Sequence, residues 1–370
     1  MLNVNGGLVT LNGGSTTVAG GIELTNGGVL STNGENELSS PISIDGPNST
    51  LIATGSFGGP GTTITLLNGG RLERGNTTLN IDEGTRITGS GQVIAEVQPN
   101  LGGRAIFNNG TIEANGTGAV IEVVQGIENF TRVFNSGTVA AVNGGQIHYI
   151  RSYSQNDEDS LLFLDGGRFT STSDISVLHG EVRGNGTIET PFIYLGGGTL
   201  SPGVEVGRLN IVGDTLSRES FLGRQMNLVF DIAGTEQGLS DGYDFLHIDG
   251  EFRLATNADP FGGHLLVDTF DDLLIEDLSG VQFSIIELTE GNEIIGSFAN
   301  VFNGGLLTTV DERFQFNVFY GADSAFGSNR VVLTNFSLFS GGSLTAVPEP
   351  SALLLFAFAS TIVATRRRRV

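Results

Sequence analysis

The chain has 370 residues, 56 of them glycine, with only 16% charged residues and a net charge of −22. That length is ample for a buried core in one large or two medium domains; glycine without a collagen period excludes collagen, and the low charge and apolar, β-rich composition exclude disorder. The acidic balance excludes an electrostatic nucleic-acid partner, and the absence of cysteine excludes disulfides, thiolate metal sites and cysteine nucleophiles.

Met1-Leu2-Asn3-Val4-Asn5-Gly6-Gly7 has no basic region, no apolar h-region and no cleavage site, so the expectation is that any export signal lies upstream of a chain that starts inside a repeat. The repeat is a turn followed by a short alternating apolar stretch. Turn signals stand at Asn5, Asn26, Asp45 and Asn68, with steps of 21, 19 and 23 residues, and again at Asn143, Asp165 and Asn185, with steps of 22 and 20. A period near 20 sustained this long is the mark of a solenoid, and leucine does not recur at the fixed offsets of a leucine-rich repeat. The strands carry apolar pairs two residues apart: Ile22 and Leu24, Ile64 and Leu66, Leu79 and Ile81, Ile112 and Ala114, Ile193 and Leu195. Such pairs point to one side of a strand while Thr, Asn and Glu point to the other. In a parallel β-helix the inward set stacks on the same set in the next coil. Asn-Gly and Asp-Gly fit the corners because they tolerate positive φ. A sandwich of hairpins is the alternative, since Asn-Gly is also a hairpin signal.

Between Gly184 and Asp214, the runs Gly184-Asn185-Gly186-Thr187-Ile188, Gly196-Gly197-Gly198-Thr199-Leu200-Ser201-Pro202-Gly203 and Gly207-Arg208-Leu209-Asn210-Ile211-Val212-Gly213-Asp214 resemble the closing coil of autotransporter-like passenger proteins. That resemblance implies that coils end there. Beyond it the strands lengthen: Met226, Leu228, Phe230 and Ile232, then Leu246, Ile248, Phe252 and Leu254, then Phe314, Phe316, Val318 and Tyr320, then Val331 and Leu333. Clean alternation with polar partners argues half-buried strands. The expected unit is a β-sandwich or an enlarged β-helix cap.

No chemistry announces itself. His148, His179, His247 and His264 show no pairing that would build a metal site, and no Ser, His and acid set has a local catalytic signature. Asp157-Glu158-Asp159, with Tyr149, Arg151 and Tyr153, reads as an insertion where the turn period breaks, either a solvated loop or a loop suited to a sugar or Ca²⁺. A second acidic group, Asp268, Asp271, Asp272, Glu276 and Asp277, lacks EF-hand spacing. Parallel β-helices include polysaccharide lyases and hydrolases, but these need a concentrated set of acids or a base. Every one of the 18 basic residues is arginine, and the acids of the first 200 residues are otherwise scattered singly. The expectation is no enzyme and no cofactor.

The last stretch has three parts: Val347-Pro348-Glu349-Pro350-Ser351, an apolar run from Ala352 to Ala364, and Arg366, Arg367, Arg368 and Arg369. Two prolines lack N–H donors and hold the first part extended, open to a partner's grip. The apolar run as a helix spans about 20 Å, short of a ~30 Å hydrocarbon core, so it needs thinning or snorkelling at its ends. The arginines anchor it on the cytoplasmic side, leaving residues 1–346 outside. Together these parts resemble the PEP-CTERM sorting signal of exported bacterial proteins. The resemblance covers the tail only. It implies recognition of Pro348, Glu349 and Pro350 by the membrane enzyme exosortase, processing, and delivery to the cell envelope or beyond, with these residues as substrate.

The expected architecture is therefore all-β: a right-handed parallel β-helix over 1–214, a β domain over 215–340, a spacer over 341–346, and a sorting signal over 347–370 with a short transmembrane helix over 352–364. The expected role is that of an exported structural or interaction protein whose partners are the exosortase, the membrane and extracellular polysaccharide or matrix. A β-helix polysaccharide-degrading enzyme or a carbohydrate-binding protein is the alternative.

Overall fold

A computed structural model describes residues 1–12, 20–33, 40–95, 106–125, 133–217, 226–254, 262–270, 273–278 and 280–339. The chain is all-β and winds as a parallel β-solenoid whose described strands fall on three faces.

On face one, each coil places an aliphatic residue on the one before. The register runs Leu2, Ile22, Ile42, Ile64, Ile87, Ile112, Val139, Leu162, Val182, Leu200, Leu228 and Leu265, every step parallel. Face two repeats the device through Leu30, Leu51, Leu72, Val93, Val123 and Tyr149. Face three stacks Phe57, Ile81, Asn108, Asn135, Gln155, Val177 and Leu195. The five apolar pairs expected to point inward are all buried. Burying a side chain of this size contributes ~1.5 to 3 kcal/mol before chain entropy is charged against it.

The corner between faces one and two explains the Asn-Gly-Gly signature. Asn26, Asn68 and Asn143 adopt left-handed φ of 50°, 48° and 53°, and each donates its side-chain amide to the coil before: Asn26 to Asn5 at 2.9 Å, Asn68 to Asp45 at 2.7 Å, Asn143 to Asn115 at 3.0 Å. The second glycine is there for space, not for φ. A Cβ on Gly28 would lie 1.9 Å from the Val4 carbonyl oxygen, so the corner closes only on glycine.

Parallel stacking does not stop at residue 214. Thr199–Pro202 pairs with Asn227–Ile232, which pairs with His264–Thr269, while Arg208–Ser217 pairs with Phe245–Asp249 and Phe252–Arg253. Coils here are longer, with Asn227 paired to His264, 37 positions further on. The stack ends where Phe283–Leu288, parallel to Phe245–Asp249 on one side, takes Arg330–Leu338 antiparallel on the other. Phe314–Phe319 and Gly305–Thr308 extend that antiparallel sheet. No helix among the described residues is long and apolar enough to cross a membrane. The expected helix over 352–364 lies outside the described residues.

Candidate functional site

The edge where face three turns into face one is built from loops of unequal length. Asn108 and Thr111 are separated by two residues, as are Asn135 and Thr138, whereas four residues join Ile81 to Arg86 and five join Gln155 to Leu161. Two-residue turns hug the stack and longer ones stand above it, so the edge dips. The dip is a groove of about 920 Å³. Asn109, Gly110, Ser136 and Gly137 form its floor, with Glu83 and Gly84 at one end and Asp157, Glu158, Asp159 and Ser160 rising towards the other. The lining continues over the outward positions of later coils, through Glu181, Arg183, Thr199, Ser201 and Val229. Thr111, Thr138 and Thr199 occupy one outward position in different coils, since Thr138 is in register with Thr111 and Glu181 with both Leu161 and Thr199.

Charge in the groove is one-sided. Among the described residues five carboxylates line it against a single guanidinium, that of Arg183, which sits 3.7 Å from Glu181 and lies over the Phe163 ring at 5.5 Å. Asp157 shapes its own turn, its carboxylate accepting from the Asp159 amide at 3.1 Å.

The six residues singled out in sequence do not form one loop. Tyr149 and Tyr153 are corrections to that reading: both are completely buried and face Phe169 in the core, with ring centroids 5.0 to 5.3 Å apart. Their strands, Gln146–Ile150 and Tyr153–Gln155, are regular rungs paired in parallel on both sides, so the stretch is coil and not an insertion. Arg151 turns the chain between faces two and three, at φ 106°, on a different edge from the acids. Only Asp157, Glu158 and Asp159 reach the groove. The groove's other contributors, above all Glu83, Glu181 and Arg183, were missed; carrying the coil register one turn on from Asp157 would have found Glu181 and Arg183, and three turns back would have found Glu83.

Burial pushes the Tyr149 phenol well above its usual range, and pushes up Tyr153 too, where the nearby Tyr149 adds to the shift and a hydrogen bond with Asn135 opposes it. Tyr153 closes a buried polar ladder. Asn108 donates to Asn135 at 2.8 Å, Asn135 to the Tyr153 hydroxyl at 3.1 Å, Tyr153 to Gln155 at 3.1 Å, and Gln155 to the Ser160 and Glu181 carbonyls. The Tyr149 hydroxyl, by contrast, is buried without a partner.

Of the histidines, His148 shares a hydrogen bond with Thr170 at 2.5 Å and burial lowers the pKa of His264. Among the described residues no three His, Cys, Asp or Glu side chains gather as a metal site would need. Val347, Pro348, Glu349, Pro350, Ser351 and Arg366 to Arg369 lie outside the described residues, as do Asp271 and Asp272. No protein-family model matches the chain, and no curated protein matches it.

Proposed function

We propose that this is an exported bacterial cell-envelope or extracellular interaction protein, sorted and processed by an exosortase through Pro348, Glu349 and Pro350, whose coils present a contact surface. The observation that carries the reading is the order of the tail: an extended Pro-Glu-Pro grip, a thirteen-residue apolar run and four terminal arginines. The solenoid supports it, because a stack of coils makes a long, regular surface. In this reading the coils wind right-handed, as parallel β-crossovers nearly always do. The antiparallel strands form the cap, and 352–364 is the membrane helix.

The test is expression in a host that has the sorting enzyme, with an export signal supplied, followed by intact mass and fractionation. The parent is cleaved near Pro350 and reaches the envelope or medium. Changing Pro348 and Pro350 to Ala stops processing while membrane insertion survives. Asp at Leu355 costs insertion by roughly 2.5 to 3.5 kcal/mol, and Ser at Arg366 to Arg369 removes the anchor. If all three variants are processed and localised like the parent, the tail is an ordinary apolar end and the envelope reading fails.

The reading is of a non-enzyme. Its rival is a polysaccharide-degrading enzyme, tested by incubation with acidic and neutral polysaccharides and Ca²⁺. Reducing ends or unsaturated products that vanish with Asp157→Ala or Asp159→Ala decide for the rival.

A further inference from the structure

The groove is suited to one kind of ligand, and the reason is what its backbone is already doing. Along this edge Thr111 donates its amide to Thr85, Thr138 to Gly110, Leu161 to Gly137, Glu181 to Ser160 and Thr199 to Gly180, each at 2.8 to 2.9 Å. Those ladder bonds leave no open strand edge, and a peptide chain binds a sheet by adding a strand to such an edge. The side chains that line the groove are mostly hydroxyls and carboxylates, which recognise polyols. The rungs also repeat at the right distance: neighbouring strands lie ~4.8 Å apart, close to the advance of one pyranose in an extended β-linked glycan. A sugar polymer laid along the axis therefore meets a fresh rung with each residue. From Thr111–Asn115 to Asn227–Ile232 there are five steps of the ladder, or about 24 Å.

We infer that this groove binds a single extended β-linked glycan of neutral or amino sugars, about five or six residues at a time. The sign of the charge selects the polymer. Glu83, Asp157, Glu158, Asp159 and Glu181 repel a uronate or sulfated chain, and they attract the ammonium of a free amino sugar. This deepens the reading of the coils as a contact surface and rests on it, but it is independent of sorting, which concerns the tail alone.

The test is calorimetric titration of the full chain in mild detergent with β-1,4-linked glucose and glucosamine oligomers of two to six units. Oligogalacturonate and a tetra-arginine peptide are the controls. Affinity rises at least tenfold from dimer to hexamer, glucosamine exceeds glucose at low salt, and oligogalacturonate does not bind. Combined Glu181→Gln and Asp159→Asn weakens hexamer binding at least tenfold, and Thr138→Arg, an outward substitution on the floor, abolishes it. Glu122→Gln on face two changes nothing. Circular dichroism and thermal midpoints matching the parent show that the variants fold. Length-independent binding, equal binding of oligogalacturonate, indifference to both groove variants, or tighter binding of tetra-arginine than of any glycan each overturns the inference. A protein that is sorted but binds no glycan, or binds glycan but is not sorted, separates failure here from failure of the envelope reading.

Discussion

The coils and the cap bury apolar surface in opposite ways. In the coils like stacks on like: Ile22 on Ile42 on Ile64 on Ile87, each side chain meeting its counterpart one rung away. In the cap aromatic rings interlock. Phe283 meets Tyr243 at 5.1 Å and Phe336 at 5.2 Å, Phe336 stacks on Phe316 at 4.9 Å, and Phe298 meets Tyr320 at 5.0 Å. A stack distributes stability over nearest neighbours. A cluster concentrates it, so damage to one ring reaches all of them.

The largest effect that tests this contrast is Phe316→Ala. It costs about 3 to 5 kcal/mol by urea unfolding and opens hydrogen exchange across the whole of 283–338. Ile112→Ala costs about 2 to 4 kcal/mol, and its exchange increase stays within the rungs on either side, at 86–88 and 138–142. Equal spreading of the two patterns would erase the distinction between stack and cluster.

Within the stack, two tyrosines 5.1 Å apart sharpen the comparison. Tyr153→Phe breaks the polar ladder between Asn135 and Gln155 and destabilises by about 1 to 3 kcal/mol. Tyr149→Phe removes a buried hydroxyl that has no partner, so it leaves stability unchanged or raises it by about 1 kcal/mol. Both phenols titrate higher folded than unfolded, so the fold holds their protons and loses stability as pH rises past the ordinary tyrosine value of 10.0. Tyr149→Phe therefore also softens alkaline unfolding.

The smallest effect lies at the start of the last long coil, at His264. Burial lowers its pKa below 6.5, so the unfolded chain binds its proton first and stability falls as pH drops below that value. His264→Gln flattens this loss in acid melts and leaves the neutral melt unchanged.

What was legible in the sequence follows from what repeats. Pairs such as Ile64 and Leu66 carry the two-residue period of a strand, and Asn26-Gly27-Gly28 carries both a left-handed corner and a place without room for a Cβ. What was not legible follows from interrupted periods. Tyr149 and Tyr153 looked like loop residues because no Asn-Gly turn separates their strands, yet Tyr149 stands in register with Val123 in the core. Stacking beyond 214 is carried by Leu228 on Leu265 and Ile248 on Leu288, at separations no period near 20 detects. The groove depends on a contrast in turn length that has meaning only once the register is known.

The direction of the ladder has a mechanical consequence. Inter-coil hydrogen bonds point along the axis of the stack, so a pull between the first coil and the C-terminal end of the stack loads the rungs in series, and the narrowest join sets the strength of the whole. Among the described residues the narrowest parallel join is that of Ile22–Asn33 to the coil after it, held on face one through Ile22, Glu23 and Leu24 and on face two through Val29, Leu30 and Ser31. Tension parts the molecule there first. The first two coils are then peeled away, and the coils that carry the groove stay joined to the antiparallel end.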